Sequence, residues 1–149
     1  MFEIRSADVS DSEAIFSILR EVACRVPVDL STPEGVRKLK SQINDWCREG
    51  LSLVAVDEHG GVVGFQLAKR ICYCGDTYIY LTYAGVTDAA SGNKVFRRLI
   101  AAEKGYGLPL VAQVKPGNKS EMVARLLHYE FQPTSDAHID HAYRWDPPS

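Results

Sequence analysis

The apolar positions near the N-terminus recur at helical spacing after one short strand-like segment, Glu3–Arg5. Apolar residues three or four positions apart indicate two amphipathic helices. The first helix is predicted to begin at the capping sequence Ser10–Glu13. The second is predicted to begin at Ser31–Glu34, with a capping hydroxyl and a proline in the first turn, and to end at Gly50. The loop Cys24–Leu30 lies between the two helices.

Strand patterns dominate the middle of the chain. Leu51–Asp57 and Val62–Arg70 flank a glycine-containing turn and predict a hairpin, and Thr77–Val86 is rich in tyrosine and β-branched residues. The rest alternates helices at Asn93–Lys104 and Ser120–His128 with strands at Leu108–Val114, Glu130–Pro133 and His141–Trp145. The order β-α-α-β-β-β-α-β-α-β-β predicts a single α/β domain over residues 1–149, with a central mixed sheet flanked by helices on both faces.

Composition adds limits on partners and location. The 149 residues are 46% hydrophobic and 24% charged, with a net charge of −2, so nothing attracts nucleic acid or a membrane surface in general. The chain has no apolar run of membrane-spanning length and no apolar signal segment, so we expect a cytoplasmic protein. Cys24, Cys47, Cys72 and Cys74 lack the spacing of zinc ligands, so we expect free thiols and no metal site.

The junction after Val86 carries the candidate chemistry. A predicted strand ends there, small residues follow, and a helix begins near Gly92. The first amides of a helix lack intrahelical partners and lie at the positive end of its dipole, so this turn is a candidate pyrophosphate site. Ser91 offers a hydroxyl, and Lys94 and Arg97 offer countercharges. The alternative is an ordinary turn without a ligand.

The same stretch resembles the acetyl-CoA-binding motif of the GNAT family of N-acetyltransferases, V-x-P-x-x-R/Q-G-x-G-x-G/A-x-x-L-L. It aligns without gaps, with Val86 at the strand end, Gly92 at the first glycine and Leu99–Ile100 at the apolar pair. The hairpin Leu53–Phe65 and the segment Asn118–Phe131 are similar to the family's central hairpin and its later segment. The resemblance therefore covers nearly the whole chain, in order.

The chain departs from that motif at four positions. Asp88 replaces the proline and Ser91 replaces the arginine or glutamine. Lys94 replaces the second glycine, and Phe96 replaces the third small residue. We expect Phe96 to face the core and Lys94 to add a charge where the family uses bare main chain.

The resemblance implies the GNAT fold, acetyl-CoA as co-substrate and direct attack of an amine on the thioester. It implies that main-chain groups of Gly85 and Val86 hold the pantetheine and polarise the thioester carbonyl, where charge develops during transfer. The further cofactor-binding candidates that it implies are Ser91, Gly92, Asn93, Lys94, Val95, Phe96 and Asn118.

The catalytic candidates lie after the last predicted helix and on the central strand. The position of the family's tyrosine acid is Leu126 here, so we take Tyr129, or a tyrosine of the central strand, as the candidate general acid. The alternative for Tyr129 is a packed tyrosine with its hydroxyl at the surface. Asp76 and Tyr80 share one face of the central strand and are candidate bases or pocket residues. Aromatic core packing is the alternative for that face.

These patterns predict an acetyl-CoA-dependent N-acetyltransferase that acts on a primary amine of a small molecule or peptide. Nucleic acid and membrane are not expected as partners, and a homodimer is possible by resemblance. The alternative is a catalytically weak or inactive CoA-binding module that retains the fold, since Leu126 and the reduced glycine pattern depart from the family. The sequence does not name the acceptor amine.

Overall fold

The structure, a computed structural model, describes residues 2–21, 30–73, 75–87, 94–113, 119–134 and 142–148. Its strands are β1 Phe2–Ser6, β2 Leu53–Asp57, β3 Val62–Tyr73, β4 Asp76–Val86, β5 Leu110–Gln113, β6 Gln132–Pro133 and β7 Ala142–Trp145. Its α-helices are α1 Ser12–Glu21, α2 Pro33–Glu49, α3 Val95–Lys104 and α4 Lys119–His128. These elements confirm the predicted order, with boundaries displaced by a few residues.

The strands form one seven-stranded mixed sheet in the order β1-β2-β3-β4-β5-β7-β6. The β4–β5 pairing is parallel, and the other pairings between these strands are antiparallel. The β4–β5 pair is parallel because α3 lies between these two strands in the chain as a crossover, whereas β3 follows β2 directly, and β4 follows β3 directly, with the chain reversed each time. The predicted mixed sheet is confirmed.

The two faces of the sheet carry separate cores. On the first face, Leu19 of α1 and Leu39 of α2 are fully buried in the cluster that contains Phe65 of β3. On the second face, Ile100 of α3 and Leu126 of α4 are buried together. Helices therefore cover both faces, as the pattern predicted. None of the helices within the described ranges combines the length and apolar character needed to cross a membrane.

The ends of α2 are set by local chemistry that the sequence predicted. The Gly35 N–H donates to the Thr32 side-chain hydroxyl at 3.0 Å, which caps the helix start. Gly50 ends the helix in the left-handed region with φ 83°, a conformation that costs glycine nothing sterically.

The capping residues ahead of α1 differ from the prediction. The reciprocal cap is formed by Asp8 and Asp11 around a short 3-10 helix, Val9–Asp11, and not by the pair Ser10 and Glu13. The Asp8 N–H donates to the Asp11 carboxylate at 2.9 Å, and Arg5 pairs with that carboxylate at 2.8 Å. A charge partner on β1 thus fixes the cap two residues earlier than the sequence pattern indicated.

Gly85 allows the two layers of the first core to meet at β4. A Cβ on this residue would lie 2.8 Å from Cε1 of Phe65 and 3.1 Å from Cγ2 of Ile18. Neither neighbour can withdraw easily, since both belong to the buried cluster beneath α1. The close packing of this core therefore requires a residue without a side chain at position 85.

Gly85→Ala is expected to lower the free energy of unfolding by about 1–3 kcal/mol, because an extra methyl group overpacks a dense core. Gly61→Ala is the matched control, since its Cβ would lie 3.4 Å from the Asp57 carboxylate oxygens, an ordinary contact. Urea unfolding of both variants measures the difference. Equal stability of the two variants would contradict this account of Gly85.

Glu103, in the last turn of α3, carries a buried carboxyl group. The residue has no exposed surface, and neither carboxyl oxygen has a hydrogen-bond partner among the described residues. Burial raises the pKa of Glu103 to about 9, since an isolated carboxylate is poorly solvated in an apolar interior. The folded protein therefore holds this carboxyl in its protonated form at neutral pH.

The stability of the protein is expected to fall as pH rises from about 4.5 to about 9. In that window the unfolded chain releases the Glu103 proton while the folded chain retains it, which favours unfolding by at most about 1.4 kcal/mol per pH unit. Glu103→Gln is expected to remove this part of the decline, measured by unfolding at several pH values. Glu34→Gln, a control on the exposed first turn of α2, should show the same loss of stability with rising pH as the wild type. Identical pH profiles for the wild type and Glu103→Gln would show that Glu103 does not cause this loss.

Candidate functional site

The candidate site begins where β4 and β5 stop pairing. The parallel register joins Ile79 to Leu110 and ends with Leu81 opposite Ala112. β4 continues to Val86, and within the described ranges this last part pairs with β3 alone. We call residues Thr82–Val86 the open edge of β4.

A β-bulge lies at the start of the open edge. Ala68 of β3 pairs with Leu81, whereas Gln66 pairs with Ala84. Two residues of β4, Thr82 and Tyr83, therefore lie opposite the single Leu67 of β3. Such an insertion bends a strand and changes the side to which its later main-chain groups point.

Hydrogen bonding at the end of β4 shows which main-chain groups face the open edge. The Thr87 N–H donates to the Val63 carbonyl on β3 at 2.9 Å. Main-chain groups of successive strand residues point to opposite neighbours, so Gly85 also points toward β3. Ala84 and Val86 then direct their N–H and C=O groups toward the open edge.

This orientation changes the predicted pantetheine contacts. Val86 lies with its main chain on the open edge, as its assigned role requires. Gly85 does not, because its main chain faces β3 and its missing side chain accommodates Phe65. Ala84 takes its place as the second candidate contact.

The N-terminus of α3 is the second part of the site. Lys94 precedes the helix in the left-handed region with φ 60° and ψ 22°, and its exposed side chain makes no capping hydrogen bond. The first helical hydrogen bond runs from the Arg98 N–H to the Lys94 carbonyl at 3.1 Å. The amides of Val95, Phe96 and Arg97 precede that bond and carry the positive end of the helix dipole.

The main-chain shape at Lys94 explains why the resembling motif has a glycine there. A positive φ is free for glycine but costs other residues about 1–2 kcal/mol. Lys94 adopts this positive φ, so the main chain keeps the conformation that glycine favours and the side chain adds an amino group. A cationic side chain at the positive end of a helix favours anions more strongly than main chain alone.

The next two side chains turn away from the start of α3. Val95 is 1% exposed, and its Cγ1 lies where a Cβ on Gly64 would come within 2.8 Å. Phe96 joins the second core, with its ring centroid 5.8 Å from that of Tyr129 and the Arg125 guanidinium 5.0 Å away. The predicted inward orientation of Phe96 is confirmed.

Four of the predicted cofactor contacts lie outside the described residues. They are Ser91, Gly92, Asn93 and Asn118. Their roles stay predictions.

Tyr129 follows α4 directly and lies beside the start of α3. Its ring contacts Phe96 and, at 5.4 Å between centroids, His128. Lys104 fixes the main chain of this residue by donating to the Tyr129 carbonyl at 2.8 Å. Leu126, where the family has its tyrosine, is 2% exposed within the second core.

Tyr80 and Asp76 occupy earlier positions on β4. The Tyr80 hydroxyl donates to Gln113 Oε1 at 3.2 Å, and burial raises the pKa of Tyr80. Asp76 pairs with Arg144 at 2.8 Å, and this hydrogen bond lowers the Asp76 pKa. Asp76 lies ten residues before Val86, roughly 30 Å along an extended strand. The structure thus separates Asp76 from the open edge, which argues against its predicted role as base.

An open surface groove of about 270 Å³ lies near Asp76 rather than near the open edge. Its lining residues are Glu130, Gln132, Pro133, Thr134, Arg144, Trp145 and Asp146. The Arg144 guanidinium is already paired with Asp76 and Asp146. We do not place the reaction there.

Sequence reasoning missed two residues of this site. Ala84 is inconspicuous, because only the bulge directs its main chain outward. Gln66 is the one polar side chain within the otherwise apolar run Val62–Ala68 of β3. A buried amide in a central strand needs hydrogen-bond partners, and that requirement is the signal that could have identified it.

No family model and no curated protein matches this sequence. Solved structures do match it. The PaiA N-acetyltransferase of Thermoplasma acidophilum, solved with coenzyme A, has a TM-score of 0.72 at 15% identity, over 98% of this chain and 99% of that one. A GNAT-family acetyltransferase of Listeria monocytogenes gives 0.69 at 15% identity, over 96% and 92%. Ard1 of Thermoplasma volcanium gives 0.68 at 16% identity, over 99% of both chains.

The chain therefore has the fold of the GNAT acetyltransferases, as the sequence resemblance predicted. The likeness extends over nearly the whole length of both chains in each of these comparisons. At these identities the likeness concerns the fold, and any statement on activity has to come from the site itself.

Proposed function

We propose that this protein is an acetyl-CoA-dependent N-acetyltransferase acting on a primary amine of a small molecule or peptide. The observation that carries the proposal is the combination of the open edge of β4 with the α3 N-terminus that follows it. On the open edge, the main-chain groups of Ala84 and Val86 point away from β3, toward a side where no described residue pairs with them in the sheet, and can bind an extended amide chain. The α3 N-terminus offers helix amides and Lys94 to a diphosphate. Coenzyme A contains both of these groups, an extended amide chain joined to a diphosphate.

Each part of the site has a role in this proposal. Ala84 and Val86 would bind the amides of the pantetheine arm as a neighbouring strand would, by main-chain hydrogen bonds. The amides of Val95 and Phe96, with Lys94, would bind the diphosphate. The acyl donor supplies an activated acetyl thioester. The protein then contributes mainly position and fixed dipoles, which lower the barrier without a covalent enzyme intermediate.

The leaving thiolate needs a proton, and we propose the Tyr129 hydroxyl as its source. The Tyr129 ring contacts Phe96, a residue in the first turn of the helix whose N-terminus is proposed to bind the diphosphate. Tyr80 is less suited, because its hydroxyl already donates to Gln113. The acceptor amine can lose its proton to water, so the reaction needs no side chain as a base.

The binding prediction concerns Lys94. Calorimetric titration of the wild type with coenzyme A should give saturable binding. Lys94→Glu should weaken it at least about tenfold, or about 1.4 kcal/mol, because a carboxylate then faces the diphosphate. The effect should be larger at low salt, where charges are less screened.

Lys38→Glu is the matched control, since it makes the same charge change on the exposed side of α2. It should bind coenzyme A as the wild type does. Absence of binding by the wild type at millimolar ligand would overturn the proposed function. Equal weakening by both variants would remove the α3 N-terminus from the site.

The catalytic prediction concerns Tyr129. Tyr129→Phe should lower kcat about 10²-fold or more, the usual contribution of a general acid, while the affinity for coenzyme A stays within twofold. Thioester consumption across a panel of amines measures the rate. Tyr106→Phe, which removes an exposed hydroxyl bonded to the Gly50 carbonyl, is the control and should retain full activity.

Two results would contradict this assignment. If Tyr129→Phe leaves the rate unaltered, or if Tyr80→Phe alone lowers it strongly, a group other than Tyr129 is the general acid. Binding of coenzyme A by the wild type without turnover of any amine would favour the alternative, a CoA-binding module that retains the fold.

A further inference from the structure

Gln66 makes an unusual pair of hydrogen bonds inside the sheet. The residue is 2% exposed, and its side-chain amide donates to the Leu67 carbonyl at 3.0 Å and to the Tyr83 carbonyl at 3.2 Å. Both carbonyls belong to the bulge, one on each strand. The amide therefore joins β3 to β4 at the point where the regular ladder is interrupted.

The bulge decides which main-chain groups of β4 face away from β3. Before the bulge, the Ile79 N–H donates to the Pro109 carbonyl at 2.9 Å, so the main-chain groups of odd-numbered residues of β4 point toward β5. After the bulge, the even-numbered residues Ala84 and Val86 point to that side. Without the inserted residue, Tyr83 would face the open edge and the donors for a ligand would be displaced by one position.

The hydrogen bonds of Gln66 favour the bulged register over the regular one. A bulge interrupts ladder bonds, and a buried carbonyl without a donor destabilises the arrangement that contains it. One side-chain NH₂ group supplies donors to both carbonyls from a single buried position. A regular register would bring the Tyr83 carbonyl to the other side of β4, away from Gln66.

We propose that Gln66 is a positioning residue for coenzyme A: it holds the β4 bulge, and thereby keeps the main-chain groups of Ala84 and Val86 on the open edge. Gln66 itself is buried, so in this role it acts through the main chain of β4 and not by contact with the ligand. This inference rests on the proposed function, because it specifies how that same site is kept in its binding geometry.

Gln66→Met tests the inference, because methionine has similar length and flexibility and no donor. Ser52→Ala is the matched control. Ser52 is also fully buried and accepts a hydrogen bond from the Ala68 N–H of β3 at 3.0 Å, but it lies on the β2 side of that strand. Calorimetric titration with coenzyme A and the midpoint of urea unfolding are measured for both variants and the wild type.

Both variants should unfold at lower urea concentration than the wild type. Gln66→Met should bind coenzyme A at least tenfold more weakly, whereas Ser52→Ala should bind within twofold of the wild type. Wild-type affinity in Gln66→Met, or the same loss in Ser52→Ala, would overturn the positioning role alone. Absence of binding by the wild type would overturn the proposed function and this inference together.

Gln66→Glu provides a second readout if Gln66→Met does not fold. A neutral glutamic acid still has one O–H donor, whereas the ionised form has none. The affinity of Gln66→Glu for coenzyme A, relative to the wild type at each pH, should therefore fall at least fivefold across the pH interval in which the introduced carboxyl ionises, and that interval is located from the pH dependence of the same variant's free energy of unfolding. A constant ratio would contradict the positioning role, because a general loss of packing does not depend on this proton.

Discussion

A central strand normally exchanges main-chain hydrogen bonds with a neighbour on each side, and among the residues that the structure describes β4 does so only as far as Leu81. The inserted residue opposite Leu67 makes this possible, because it bends β4 and reverses the side to which its later groups point. The remainder of the site follows from that interruption. An interior strand becomes a local edge, with donors and acceptors that a second extended chain can match.

The same stretch of sheet also places the α3 N-terminus. Gly64 lets the Val95 side chain approach β3 more closely than any Cβ would allow. Lys94 then enters the helix through a positive φ. Because β4 pairs with β3 and Val95 packs against β3, the strand edge and the helix amides are fixed relative to each other through β3.

The sequence predicted the elements well because their order depends on local periodicity and on caps such as Thr32 and Gly50. It predicted the site only in outline. The direction of the main chain at Gly85 depends on the strand register, which is a long-range property. The capping pair ahead of α1 was displaced for a similar reason, since Arg5 on β1 selects Asp11 as its partner. Motif alignment located Lys94 but could not show that lysine would adopt the conformation of the glycine.

Two departures from the family pattern meet in space, and their contact bears on the chemistry. Phe96 fills a position where the motif has a small residue, and the tyrosine expected at Leu126 occurs three residues later, at Tyr129. The Tyr129 N–H donates to the Leu126 carbonyl at 3.1 Å, so the chain is still turning there as a helix does. A step of three residues is roughly 4.5 Å along a helix and keeps the same face. The larger Phe96 ring packs against the displaced tyrosine, so the two changes are complementary. This contact ties the proton donor proposed above to the first turn of α3.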